Sequence, residues 1–92
     1  KLYIKDIEFI EVDGKYSALS VGQRMINCKI SLKDLLEKLP RDKFIQVNRN
    51  FVINMDMIED IDMANFNVKM PTKDVPISRT FKDQLMDRIK LI

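Results

Sequence analysis

Two glycine-containing turns place the tightest limit on what this chain can become. Asp13-Gly14 and Gly22-Gln23 cut its first third into short apolar runs, none long enough for a stable helix. Glycine enters positive φ at no steric cost, so each pair can close a hairpin. The runs between them are Ile7-Glu8-Phe9-Ile10-Glu11-Val12, Tyr16-Ser17-Ala18-Leu19-Ser20-Val21 and the stretch from Arg24 to Ile30. Closely spaced strands punctuated by Gly and Asp read as an antiparallel meander. Leu2-Tyr3-Ile4 is strand-like as well, so the chain reads as a fragment of a longer protein that opens directly in a strand.

The period then changes. Ser31 and Asp34 resemble a capping box, with Asp in place of the usual Glu. Leu32, Leu35, Leu36 and Leu39 share one helical face, and Pro40 ends it. A helix over about 31–39 is too short to stand without tertiary packing, and it is expected to plug one end of the sheet. Strand character returns at Phe44-Ile45-Gln46-Val47 and Phe51-Val52-Ile53, on either side of the polar interruption Asn48-Arg49-Asn50. Met57-Ile58-Glu59-Asp60-Ile61 and Phe66-Asn67-Val68-Lys69-Met70 read as a further pair joined around Asn65, and Pro71 and Pro76 frame a last extended piece. Phe81, Leu85, Ile89 and Ile92 line a C-terminal helix over about 79–91, with Ser78 or Thr80 as N-cap and Arg88 and Lys90 near its end. The expected fold is mainly β: antiparallel strands in a small sandwich- or barrel-like domain, with a short central helix and a closing helix. This order excludes a parallel α/β sheet, and no two adjacent helices stand close enough for a helix-turn-helix.

Composition narrows the function. At 92 residues, 46% of them hydrophobic, the chain is expected to form one domain with one real core. It has no histidine, so the commonest general base and metal ligand are both missing. Cys28, the single cysteine, reads as a buried structural thiol and fits a reducing cytoplasm. Glu8, Glu11 and Asp13 are expected on a solvated strand face, and Asp56, Glu59, Asp60 and Asp62 in a solvated acidic cluster without calcium-loop spacing. No enzyme activity, metal or cofactor is expected. No apolar run approaches the roughly 20 residues that span a bilayer, so no membrane contact is expected either. Sixteen basic against 14 acidic residues leave a net charge of +2, too small to argue nucleic-acid binding without knowing how the charge is distributed.

Three polar projections carry the functional argument. Asn48-Arg49-Asn50 suits base edges, because arginine pairs in bidentate fashion with guanine and asparagine with adenine. Asparagine also favours ordinary turns, which is the plainer explanation of the tripeptide. Ser78-Arg79 is a common helix start that also offers N–H groups and a guanidinium to an anion, and Lys82 adds charge one turn on. Lys15-Tyr16 projects beside the first glycine turn, where a solvated hairpin tip is the plainer reading.

These residues carry a resemblance to a family. The run from Phe44 to Asn54, followed by Ile58, resembles the central signature of the LytTR DNA-binding domains: an apolar strand, a His-Arg-Ser-like element and an apolar run ending in Asn. Asp6-Ile7-Glu8-Phe9-Ile10-Glu11 with Gly14-Lys15-Tyr16 is similar to the family's opening. Ser31-Leu32 is similar to the start of its short helix, and Pro76-Ile77-Ser78-Arg79 to its closing Pro-x-Ser-Arg. The resemblance covers nearly the whole chain. It departs at Asn48, where His is usual, and at Asn50, where Ser is usual, and both replacements keep a hydrogen-bonding side chain.

The resemblance implies a mostly β domain that inserts loops into successive major grooves, as the output domain of a bacterial response regulator. It assigns base contacts to Arg49 and Arg79 and a first-loop contact to Lys15 or Tyr16. Asn48, Asn50, Ser78 and Lys82 become phosphate or supporting contacts, and Asn54 a structural residue. The implied partners are duplex DNA with repeated half-sites, an N-terminal receiver domain in the full-length protein, and a second copy on DNA. Two other classes stay open. One is a protein-interaction module that uses a strand edge or the surface around Met55, Met57 and Met63. The other is a single-stranded RNA binder, for which only Tyr3 and Tyr16 offer exposed rings, since the five phenylalanines read as core.

Overall fold

The computed structural model describes residues 2–89, so Lys90 and Ile92 of the expected C-terminal helix lie outside the described residues. Strands β1 (Ile7–Asp13), β2 (Tyr16–Val21) and β3 (Arg24–Cys28) form the meander. They are followed by α1 (Leu32–Lys38), β4 (Phe44–Asn48), β5 (Phe51–Asn54), β6 (Asp60–Asp62), β7 (Asn67–Lys69), β8 (Asp74–Pro76) and α2 (Arg79–Ile89). All strand pairs are antiparallel, in a five-stranded sheet ordered β3-β2-β1-β5-β4 and a three-stranded sheet ordered β6-β7-β8. The fold is mainly β, as the punctuation of the sequence requires.

Both glycine turns close as expected. Gly14 and Gly22 stand at φ +61° and +62°, and each opens a two-residue connection, between Asp13 and Tyr16 and between Val21 and Arg24. Ser31 caps α1 by accepting a hydrogen bond from the Asp34 N–H (3.2 Å). Several expected strands are shorter than their runs, and one does not form. Leu2-Tyr3-Ile4 forms no strand, because Ile4–Asp6 turns as a 3-10 helix and pairing begins at Ile7. Met55–Met57 turns likewise, started by the Asn54 side chain accepting from the Asp56 N–H (3.0 Å), so β6 begins only at Asp60.

The large sheet buries both faces. Ile7, Ile10, Val12, Leu19, Phe44 and Val52 meet Leu35 and Leu39, so α1 covers a face of the sheet and does not plug its end. Cys28 is half-buried at the margin of this cluster. On the opposite face Phe9, Ile45, Val47 and Ile53 pack against Val68 and Val75 of the small sheet and Leu85 of α2. Met55, Met57 and Met63 pack around this second core, which makes them core filler and not a docking face.

The expected solvated face of β1 is corrected by its register. The pairing with β2 shifts between Ile7 and Phe9, a bulge that turns Glu8 and Phe9 toward the same side. Glu8 is therefore buried, at 3% exposure, while Glu11 and Asp13 remain in solvent. Its carboxylate accepts from the Thr72 N–H (2.8 Å), the Thr72 hydroxyl (2.8 and 2.9 Å) and the Ser20 hydroxyl (3.4 Å). This bolts the β7–β8 turn to the large sheet. Asn54, also buried, donates from Nδ2 to the Ile7 carbonyl (2.9 Å), which fixes the strand end as its structural reading required.

Candidate nucleic-acid interface

β1 runs toward one end of the large sheet and turns there at Gly14-Lys15. β4 arrives at the same end and turns at Arg49-Asn50, because β5 pairs with β1 so that Phe51 faces Glu11. The Val12 N–H donates to the Asn50 carbonyl (2.7 Å), which locks the two turns side by side. The connector from β8 to α2 is held in the same row, since the Ser78 N–H donates to the Val47 carbonyl (2.9 Å). Topology thus brings three segments together that lie far apart in sequence.

The middle turn owes its shape to Asn48. Neither Arg49 nor Asn50 adopts positive φ, so the turn is not one of the primed types that match strand twist unaided. The Asn48 Oδ1 accepts from the Asn50 N–H (2.7 Å), and the β4–β5 register shifts between Gln46 and Asn48. Its Nδ2 donates to the Pro76 carbonyl (2.7 Å), joining the turn to the β8–α2 connector. Both ends of this carboxamide are therefore engaged within the protein. The Asn48 carboxamide thus ties the middle turn to the β8–α2 connector.

The other expected residues fall into two groups. Lys15, Tyr16, Arg49, Asn50 and Arg79 are exposed along this end, and Tyr16 keeps 56% of its surface accessible. Among the described residues the ion pair is Lys43–Asp56 (2.9 Å), at the other end of β4 and β5, so none of their carboxylates pairs with Arg49 or Arg79. Ser78 and Lys82 are half-buried. Ser78 precedes α2 at the N-cap position, but its hydroxyl oxygen is buried without a hydrogen-bond partner, so it lies beneath the surface. Thr80 is already inside the helix.

Sequence reasoning did not place Phe66 here. Its ring is half-buried and carries the Arg79 guanidinium carbon at 5.7 Å and the Lys82 ammonium at 5.6 Å from its centroid. The signal available was its setting in Asn65-Phe66-Asn67, where turn-forming neighbours make a core phenylalanine out of place. The β6–β7 turn that presents it is organised by Asp62, which accepts from the Asn65 N–H (3.1 Å) and Nδ2 (2.8 Å). Those hydrogen bonds hold the Asp62 carboxyl below its usual pKa range.

Among the described residues this small β domain carries exposed guanidinium groups on neighbouring loops, and its two helices are separated by strands and not by a short turn. The profile of the LytTr DNA-binding domain matches residues 1–90, and the chain belongs to that family of DNA-binding domains. It is 30% identical over 93 residues to a sensory transduction protein LytT of Bacillus anthracis, covering 96% of this chain and 37% of that protein. It is 25% identical over 92 residues to the protein of the same name from Enterococcus faecalis (strain ATCC 700802 / V583), covering 95% of this chain and 38% of that protein. The chain therefore spans well under half the length of these relatives. Its fold matches the LytTr DNA-binding domain of a methyl-accepting/DNA response regulator from Bacillus cereus. The TM-score is 0.87 at 22% identity, over 98% of this chain and 86% of that one.

Proposed function

We propose that this chain binds duplex DNA in a sequence-specific manner, as the output domain of a bacterial two-component transcription regulator. A receiver domain elsewhere in the full-length protein would control it, and two copies would occupy repeated half-sites. The three loops enter the major groove. Arg49 and Arg79 read base edges, and Lys15 or Tyr16 makes the first-loop contact. Asn50 and Lys82 meet phosphates. Asn48 acts from behind, fixing the turn that carries Arg49, and Ser78 supports the connector. One observation carries the reading: the Asn48–Pro76 hydrogen bond (2.7 Å) couples the Arg49 turn to the segment that leads into Arg79, and among the described residues neither cation is paired with an acid. Phosphate contacts supply affinity and the two arginines supply discrimination.

The test is binding to a duplex selected from a random library by the wild-type chain. Arg49→Ala and Arg79→Ala should each lose about 1–3 kcal/mol of preference for the selected duplex over scrambled sequence. Unchanged preference in both variants would remove these residues from the reading.

A further inference from the structure

We propose that Phe66 is a positioning residue for DNA recognition: its ring gathers Arg79 and Lys82 so that both cations meet the duplex as one unit. The inference rests on the DNA-binding reading above and adds a fourth segment, the β6–β7 turn, to the recognition end.

Phe66 stands at φ 51°, a left-handed conformation that is costly for a bulky side chain and free for glycine. The cost is offset by what the position achieves. The Phe66 carbonyl accepts from the Ile77 N–H (2.8 Å), so the turn is fastened to the connector that leads into α2. One part of the side chain packs against the core cluster to which Val68, Ile77 and Leu85 belong. The remainder faces Arg79 (5.7 Å) and Lys82 (5.6 Å), which are neighbours one helical turn apart and repel each other. The negative face of an aromatic ring attracts both. A carboxylate in the same place would also hold them, but it would cancel the charge that a phosphate or a guanine edge needs. An aromatic ring holds them and leaves both charges available. The half-buried state of Lys82, unusual for a surface lysine, follows from this arrangement.

The experiment is equilibrium binding to the selected duplex by Phe66→Leu and Phe66→Trp, each alone and in an Arg79→Ala/Lys82→Ala background. Phe66→Leu should weaken specific binding about 3- to 10-fold, and Phe66→Trp, which keeps a π face, should stay within about twofold of wild type. In the doubly substituted background Phe66→Leu should cost less than about twofold, because the groups it acts through are gone. Phe66→Met fills the same half-buried space and carries the test if the leucine variant melts below assay temperature. Wild-type affinity in Phe66→Leu, or an equal loss in both backgrounds, would overturn the positioning role. If Arg79→Ala/Lys82→Ala binds like wild type, the DNA-contact reading of those residues fails along with it. A clear loss there beside a neutral Phe66→Leu sinks only the role of Phe66.

Discussion

Glu8 illustrates how one side chain is decided by its surroundings. Every partner of its carboxylate is a donor: the Thr72 N–H and hydroxyl and the Ser20 hydroxyl. Glu8→Leu keeps most of the bulk but leaves the Thr72 N–H, the Thr72 hydroxyl and the Ser20 hydroxyl without the acceptor they share. The variant should lose about 1–3 kcal/mol of stability, the usual cost of leaving a buried polar group unmatched. A urea midpoint equal to wild type would show that the bolt contributes nothing. Asn54 was legible beforehand as a strand-end anchor, because an Asn that closes an apolar run has few other uses. Asn48 was legible as important, yet its employment was not, since an outward base reader and an inward tie look the same in sequence.

Elements were the most readable level. The meander, the α1 cap at Ser31 and the stop at Pro40 follow from interactions within a few residues, and all appear where expected. The exceptions are the expected strand residues Leu2-Tyr3-Ile4 and Met57, where the chain turns as 3-10 helix at Ile4–Asp6 and Met55–Met57. The Gly14 turn gives a clean prediction. A Cβ there meets nothing within 4 Å, so Gly14→Ala would be strained only by its backbone at φ +61°. It should cost about 1 kcal/mol and lower Tm by roughly 4–8 °C. Calorimetry checks this, and an unchanged Tm would mean that the hairpin re-forms with a different turn.

At the scale of the whole molecule, the extents of 35 × 23 × 23 Å limit how much DNA one copy can follow. One turn of B-DNA rises about 34–36 Å, so the long axis of one copy matches about one turn of duplex. The salt dependence of binding then counts the phosphates neutralised. If Lys82 meets a phosphate as proposed, Lys82→Ala should reduce the slope of log K against log salt by about 0.9 while leaving sequence preference in place. A lowered preference with an unchanged slope would instead make Lys82 a base reader. By itself the sequence determined most of the strands, the glycine turns and both helices, because those depend on propensity and on neighbours along the chain. Only the tertiary structure decided that Glu8 is buried against Thr72, 64 residues away, that Asn48 ties down Pro76, 28 residues away, and that Phe66 lies under Arg79 and Lys82. These are contacts across sheet and connector, and no local pattern encodes a partner that arrives only when the chain has closed on itself.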